Sequence, residues 1–433
     1  MLVSLAASEV TIVRNRPLAV SFLARIRPQG RPAIRGHDLA CAVLALALAG
    51  CGAHAPESHV YRPPVAADDG LAVGTLTEVG CEAAPLLQAA RDISEGRFGE
   101  IHSLLLLKDG RLVFEAYFPG HDYAWDAPGF QGATVDWDQD TAHNVHSVGK
   151  SITSACVGIA IDKGFIGGVD ASIWDYLPEH RHLNTEGKDR ITIEHLLAMT
   201  SGLEWDEWGA SYKDANNDVI AMWVESADPI AYVLAKPMVS DPGAEFNYSG
   251  GNMVVLGEII RNATGMDIEA FSGAHLFAPL GIDPPEWSWI NDSVVYAGGD
   301  QRMTPREMLI LGAAFLNQGV WGGERVLSQA WVGRSASPYP GPDHSWLNHA
   351  LRPIPPGEGT WGRRGYSYGW WVHTFGPLGR RHPAYWAFGW GGQRIIVLPE
   401  HEAVVVFTAA NYARSDPTLR ILTQYVLPAL ERG

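Results

Sequence analysis

Four cysteines in 433 residues are too few for a disulfide-stapled scaffold. No Cys-x-x-Cys pair and no His-Glu-x-x-His motif occurs, so the usual spacings of a zinc site are missing. His143 and His146 stand three apart, but no third ligand lies near them in the chain. Charge is also scarce, at 18% of residues, and the basic sign is in deficit: 32 Lys and Arg against 48 Asp and Glu give a formal net charge of −16. Such a balance argues against nucleic acid or an anionic membrane face as a partner. Internal repeats are absent as well. What the chain has in quantity is apolar mass, 46% hydrophobic with 16 tryptophans, enough for a large core and two lobes.

The apolar run Leu39–Ala49 follows arginines at 31 and 35 and is too short to span a bilayer; it has the shape of a secretory h-region. It ends in Leu48-Ala49-Gly50-Cys51, which resembles the bacterial lipobox. That resemblance implies a mature chain beginning at a lipidated Cys51, held by several acyl chains because one binds only marginally. Gly52, rather than an acid, implies the periplasmic side of the outer membrane in the bacterial cell envelope. Residues 1–30 lie upstream of any ordinary n-region, and the start codon is expected to be assigned too far upstream. Residues 1–51 hold six arginines and two acids, so their removal leaves a more acidic body. Cys41 would leave with the signal. Cys81 and Cys156 remain, either to pair in an oxidising compartment or, for Cys156 on an apolar helix face, to stay a buried thiol.

From Pro56 to Gly80 the chain is rich in Pro, Ala, Asp and Gly without periodicity, and residues 52–82 read as a flexible tether. Ala83–Glu95 reads as a helix. The runs IHSLLLL and RLVFEAYF flank Asp109-Gly110, a two-residue hairpin signal. Val148, Ile152, Ala155, Cys156, Ile159 and Ala160 form one stripe of a helix that starts at Ser147 and ends at Gly164. Further helices are expected at Ile193–Met199, Met253–Asn262, Pro305–Asn317 and Pro417–Glu431. YSYGWWVHT, RRHPAYWAFGW, QRIIVLPE and AVVVFTAA read as strands. The fold class is therefore α+β: an antiparallel sheet assembled from both ends of the chain (83–146 and 366–433) with a mainly helical insertion (147–365).

Residues 145–151, VHSVGKS, admit two readings. A phosphate loop requires glycine five residues before Gly149 and a preceding buried strand; position 144 is Asn and the approach TVDWDQDTAHN is polar. The other reading pairs Ser147 with Lys150, one helical turn apart on one face. The hydroxyl would sit at the positive end of the helix dipole, and a lysine withheld from water has a lowered pKa and can take the serine's proton. The plain structural role for Ser147 is that of helix N-cap.

The Ser-x-x-Lys at Ser147 is followed in order by ITIEHLLAMTSGL (191–203), DPGAEFNYSGGNMVVLGEIIRNATG (241–265), LFAPLGI (276–282) and GGDQRMTPREMLILGAAFLNQG (298–319). Together these resemble the serine β-lactamase and penicillin-binding family over roughly residues 83–430, particularly its class C and esterase branch. The resemblance implies Ser147 as the nucleophile of an acyl-enzyme, Lys150 as its activator and Tyr248 as the proton shuttle of a Tyr-x-Asn motif. Trp390-Gly391-Gly392 would stand for the family's Lys-Thr-Gly, with the backbone N–H groups of Ser147 and Gln393 as the oxyanion hole.

Two departures matter. Gly250 occupies the Asn position of Tyr-x-Asn, and Trp390 replaces the cation that would meet a substrate carboxylate. Asn247 or Asn252 is a candidate substitute for the amide, and Arg394 for the cation unless it is merely exposed. Trp205, Trp208, Trp370, Trp371 and Trp386 line the pocket or fill the core, the core being the expectation for most. The reading is a serine hydrolase, without metal or nucleotide, acting on small esters or amides with a neutral acyl group, and tied to the membrane through its N-terminal lipid. Its alternatives are a β-lactamase or D-alanyl-D-alanine peptidase, and a wall-binding relative without turnover. The residues do not speak to oligomeric state.

Overall fold

The computed structural model describes residues 60–340, 365–376, 381–412 and 414–431. The signal segment, Cys41 and Cys51 lie outside the described residues. Helix α1 (Ala83–Ser94) precedes strands β1 (Ile101–Lys108) and β2 (Arg111–Tyr117), joined by the expected hairpin. Asp109 and Gly110 take φ of 51° and 73°, the left-handed pair that a tight two-residue turn requires.

β1 and β2 form one end of a seven-stranded sheet. From the other end the order runs Gly365–Ser367, Trp370–Phe375, His382–Gly389, Gln393–Leu398, Ala403–Ala409, then β1 and β2. Every neighbouring pair is antiparallel, and the Leu104↔Phe407 register joins the amino-terminal strands to the carboxy-terminal ones. The sheet is thus assembled from both ends of the chain.

Residues Ile101–Leu107 are all buried, so β1 is covered on both faces; this is why its sequence is a continuous apolar run rather than an alternation. One cover is the helix Pro305–Leu316, which packs on β1, Gln393–Leu398 and Ala403–Ala409. Gly312 permits that approach, since a Cβ there would stand 2.6 Å from both Ile395 and Val404 side-chain carbons. The segment was expected in the helical insertion, but its burial is against the sheet. α1 packs with the C-terminal helix, which runs from Thr418 to Leu430 through a wider turn at Leu422–Val426.

The flexible tether expected over 52–82 is corrected for its described part, residues 60–82. Leu71, Leu76, Val79 and Cys81 are buried, and Val73 bridges to Leu112 at the β2 edge. The Tyr61 hydroxyl donates to the Val113 carbonyl at 2.8 Å and accepts from the Leu76 amide at 3.0 Å. Arg306, 3% exposed, pairs with Asp69 at 3.0 Å and Glu115 at 2.7 Å. Scattered apolar residues suffice here because an existing strand edge and a buried guanidinium organise them, which a periodicity search does not detect. Cys81 and Cys156 are both buried, and they are not joined in a disulfide.

Candidate active site

The nucleophile turn is built by a short approach. His143–Asn144 pairs with Arg302–Met303, the Val145 amide donates to the Gln301 carbonyl at 2.8 Å, and the His146 amide donates to Asn144 Oδ1 at 2.8 Å. His146 then turns at φ 46° into a single 3₁₀ turn, His146–Val148, before helix α2 (Gly149–Asp162) begins. Ser147 therefore does not serve in the plain role of helix N-cap: Val148 holds that position, without a side-chain cap. The strained residue and the tight turn free the serine hydroxyl from capping. Gly299, at φ 153°, packs so closely that a Cβ would fall 2.5 Å from the His146 carbonyl.

Lys150 reaches back from the first turn of α2. Its Nζ donates to Ser147 Oγ at 3.0 Å and to the Gly298 carbonyl at 2.9 Å, and the residue is 1% exposed. Burial pushes its pKa down, while Glu207 and Asp300 pull it up; the net direction is down. An amine whose pKa is lowered by burial and that is already bonded to a hydroxyl is placed as a general base.

Tyr248 lies just before the helix Gly250–Thr264, whose N-cap Ser249 accepts from the Asn252 amide at 3.1 Å. Its phenol is pushed up by burial and by the Glu207 charge, opposed by a hydrogen bond with Ser147. The Lys150 Nζ sits 4.8 Å from the Tyr248 ring centre. Ser147 and Lys150, from one stretch, thus meet Tyr248 from another about a hundred residues on. Trp208 stacks on Tyr248 at 4.8 Å and Trp371 lies 5.8 Å from it, both nearly parallel.

The second wall is the hairpin after His382–Gly389. Trp390 packs on Phe130 at 4.6 Å, Tyr412 at 4.9 Å and Tyr212 at 5.0 Å, with His146 at 5.7 Å. Gly391 has φ 86°, and a Cβ there would meet the Tyr412 ring at 2.4 Å, so the turn needs its glycine; Gly392 follows at φ 109°. Gln393 heads the next strand opposite Gly389, and both flanking strands pack on the nucleophile turn. Its side chain faces inward, bonded to both backbone groups of Ala409.

Other expected contributors are not in the site. Arg394 is neither exposed nor a substrate cation: 3% exposed, it pairs with Asp416 at 2.6 Å and bonds Thr418. Asn247 donates to the Trp205 carbonyl and Asn252 accepts from Ser201, so neither replaces the amide missing at Gly250. Trp205, Trp370, Trp371 and Trp386 are buried, whereas Trp208 is 41% exposed at the rim. His146 bonds Asp300 at 3.0 Å and His143 stacks on Trp137 at 3.8 Å. Among the described residues no group of three acids, histidines or cysteines is placed to hold a metal.

Glu207 is the residue that sequence reasoning missed. Its side chain, 1% exposed, lies 3.7 Å from Lys150 Nζ. It also accepts from the Gly250 amide at 2.6 Å, Trp205 Nε1 at 3.0 Å and the Tyr212 hydroxyl at 3.2 Å. A Cβ on Gly250 would stand 3.1 Å from Glu207 Oε2. The signal that could have found it is Gly250 itself: a side chain missing beside a buried lysine leaves space that another polar group must fill.

A family model described as beta-lactamase matches residues 102–429. The chain is 30% identical over 204 residues to the 6-aminohexanoate-dimer hydrolase of Paenarthrobacter ureafaciens, covering 45% of this chain and 50% of that protein. It is 37% identical over 100 residues to the monacolin J acid methylbutanoyltransferase of Aspergillus terreus, covering 22% and 23% respectively. The chain thus spans about half the length, or less, of these curated relatives. Among solved structures, a 6-aminohexanoate-dimer hydrolase from Bacillus anthracis superposes with a TM-score of 0.56 at 18% identity, over 78% of this chain and 80% of that one.

Proposed function

The chain belongs to the beta-lactamase family, and from that premise we propose that it is a serine hydrolase acting through an acyl-enzyme on small esters or amides with a neutral acyl group. The observation that carries the reading is the 3.0 Å contact from a buried Lys150 Nζ to Ser147 Oγ. Ser147 attacks the carbonyl carbon, and its proton passes to Lys150. Tyr248 delivers a proton to the leaving group and, in the second half, takes one from the incoming water. The amides of Ser147 and Gln393 hold the oxyanion; such a donor contributes about 3 kcal/mol. Relatives bearing the names of a hydrolase and of an acyltransferase support acyl transfer as the reaction class.

Neutrality of the acyl group is supported by the walls. Trp390, Phe130, Tyr123 and Tyr412 face one another on one side. The charges nearest Lys150 are the carboxylates Glu207 and Asp300, which would repel a substrate carboxylate. The experiment is turnover of short-chain p-nitrophenyl esters by protein lacking residues 1–51, beside Ser147→Ala and a chromogenic cephalosporin. Ester turnover lost in Ser147→Ala, with little cephalosporin cleavage, fits the proposal. Efficient cephalosporin cleavage favours the β-lactamase or peptidase alternative, and a stable adduct without release favours a binding relative.

Cell-envelope anchoring through a lipidated Cys51 is a further part of the proposal and rests on Leu48-Ala49-Gly50-Cys51 alone. Incorporation of a clickable palmitate analogue, abolished by Cys51→Ala, would support it; incorporation unchanged by that substitution would refute it.

A further inference from the structure

Glu207 reaches the site from the stretch Glu204–Asn217, which carries no helix or strand. Its carboxylate is too deeply buried to touch substrate, and its oxygens are already engaged: Gly250 N–H and Trp205 Nε1 on one, Tyr212 hydroxyl and Lys150 on the other. A buried carboxylate survives only where donors and a counter-charge compensate its lost hydration. Of its partners, only Lys150 is both charged and bonded to the Ser147 hydroxyl. A carboxylate at 3.7 Å favours the ammonium, the form that cannot accept a proton.

Resting on the acyl-enzyme reading above, we propose that Glu207 is a positioning residue that aims Lys150 at Ser147 and sets the acid limb of serine activation. When Ser147 Oγ bonds to an electrophile, the hydroxyl proton moves to the Lys150 amine, and the resulting ammonium is stabilised by Glu207. The carboxylate thereby trades availability of the base at low pH for stabilisation of its protonated product. The other titratable groups facing this pair are Asp300 toward Lys150, and Tyr212, Tyr248, Tyr296 and Tyr366 toward Glu207. His146 is bonded to Asp300 on the far side.

The test is the pH dependence of Ser147 labelling by a fluorophosphonate, in which the Oγ–P bond forms, fluoride departs and the hydroxyl proton is taken by the base. Removing the negative charge in Glu207→Gln destabilises the ammonium, so the acid limb should move to lower pH by about one unit or more, as expected for losing an opposite charge at this range. Glu207→Asp should keep the wild-type limb to within a few tenths of a unit. Should Glu207→Gln fail to fold, Trp205→Phe/Glu207→Gln removes the indole N–H that a glutamine amide would oppose and retains an acceptor for the Gly250 amide. The same downward shift is expected, with the limb of Trp205→Phe alone unchanged. A limb that stays in place in the folded glutamine variant, with only a lower plateau, overturns the proposal while leaving the acyl-enzyme reading intact. Absence of Ser147-dependent labelling in the wild type overturns both.

Discussion

Lys150 and Glu207 face each other at 3.7 Å, each with a side chain 1% exposed, and Lys150 Nζ also donates to the Ser147 hydroxyl oxygen. The pair couples stability to chemistry. Lys150→Met should abolish turnover and also destabilise the fold by about 3–5 kcal/mol, because it strands a buried carboxylate. Lys150→Met/Glu207→Gln should remain inactive yet recover much of that stability. Urea unfolding of the two variants checks both outcomes.

Trp208 covers Tyr248 from the solvent side. Its replacement by alanine should change unfolding free energy by less than about 1 kcal/mol, since the ring is 41% exposed. KM for aryl esters should rise about three- to tenfold, the equivalent of ~0.5–1.5 kcal/mol of ring stacking. Short alkyl esters should be affected less. Steady-state kinetics on a matched ester series distinguishes the two.

Arg306 ties the segment before α1 to the sheet through Asp69, Glu115 and the Val65 carbonyl. Arg306→Ala leaves two carboxylates without their cation and should cost about 3 kcal/mol or more. Hydrogen exchange should accelerate first at Leu71–Val79. A true tether would show fast exchange there already in the wild type.

Acid should weaken the fold in two windows. His102 and His143 are held below their ordinary 6.5, burial being the largest cause in each. Protonation of the unfolded chain therefore draws the equilibrium away from the fold once pH falls below 6.5. Glu100 is also partly buried, which opposes ionisation, but the nearby His102 ring at 3.8 Å and hydrogen bonds from the His121 amide and ring hold it at about 2 against an ordinary 4.5. The stability it contributes is present above 4.5 and is lost between 4.5 and about 2. His143→Phe preserves the stack on Trp137 and should flatten the upper window in a series of urea titrations.

Much of this was legible in the chain. The apolar run of β1 and the Asp109-Gly110 turn mark elements whose local pattern matches their structure, whereas α2 is buried on every face from Gly149 to Ala160, more than its apolar stripe implies. Ser147 and Lys150 were readable because a three-residue spacing brings them together across the 3₁₀ turn that leads into α2. Tyr248 was legible only through the resemblance carried by its flanking residues, since nothing local places it beside them. Glu207 was not legible, because it sits in an irregular stretch and its partner position, Gly250, is defined by a missing side chain. Residues 60–82 misled for a related reason: their order comes from the β2 edge and from Arg306, far away in sequence. Arg394 shows that polarity does not give direction, for its guanidinium turns inward to Asp416.

The central claim is an acyl-enzyme on Ser147 whose proton traffic runs through Tyr248. Its most direct test is intact-protein and peptide mass spectrometry after rapid acid quench of wild type and Tyr248→Phe mixed with p-nitrophenyl butyrate. A butyryl adduct is expected on the peptide containing Ser147, absent in Ser147→Ala, with release slowed by about 10²-fold or more in Tyr248→Phe. Turnover of the ester with acylation elsewhere, or turnover undiminished in Ser147→Ala, would contradict it.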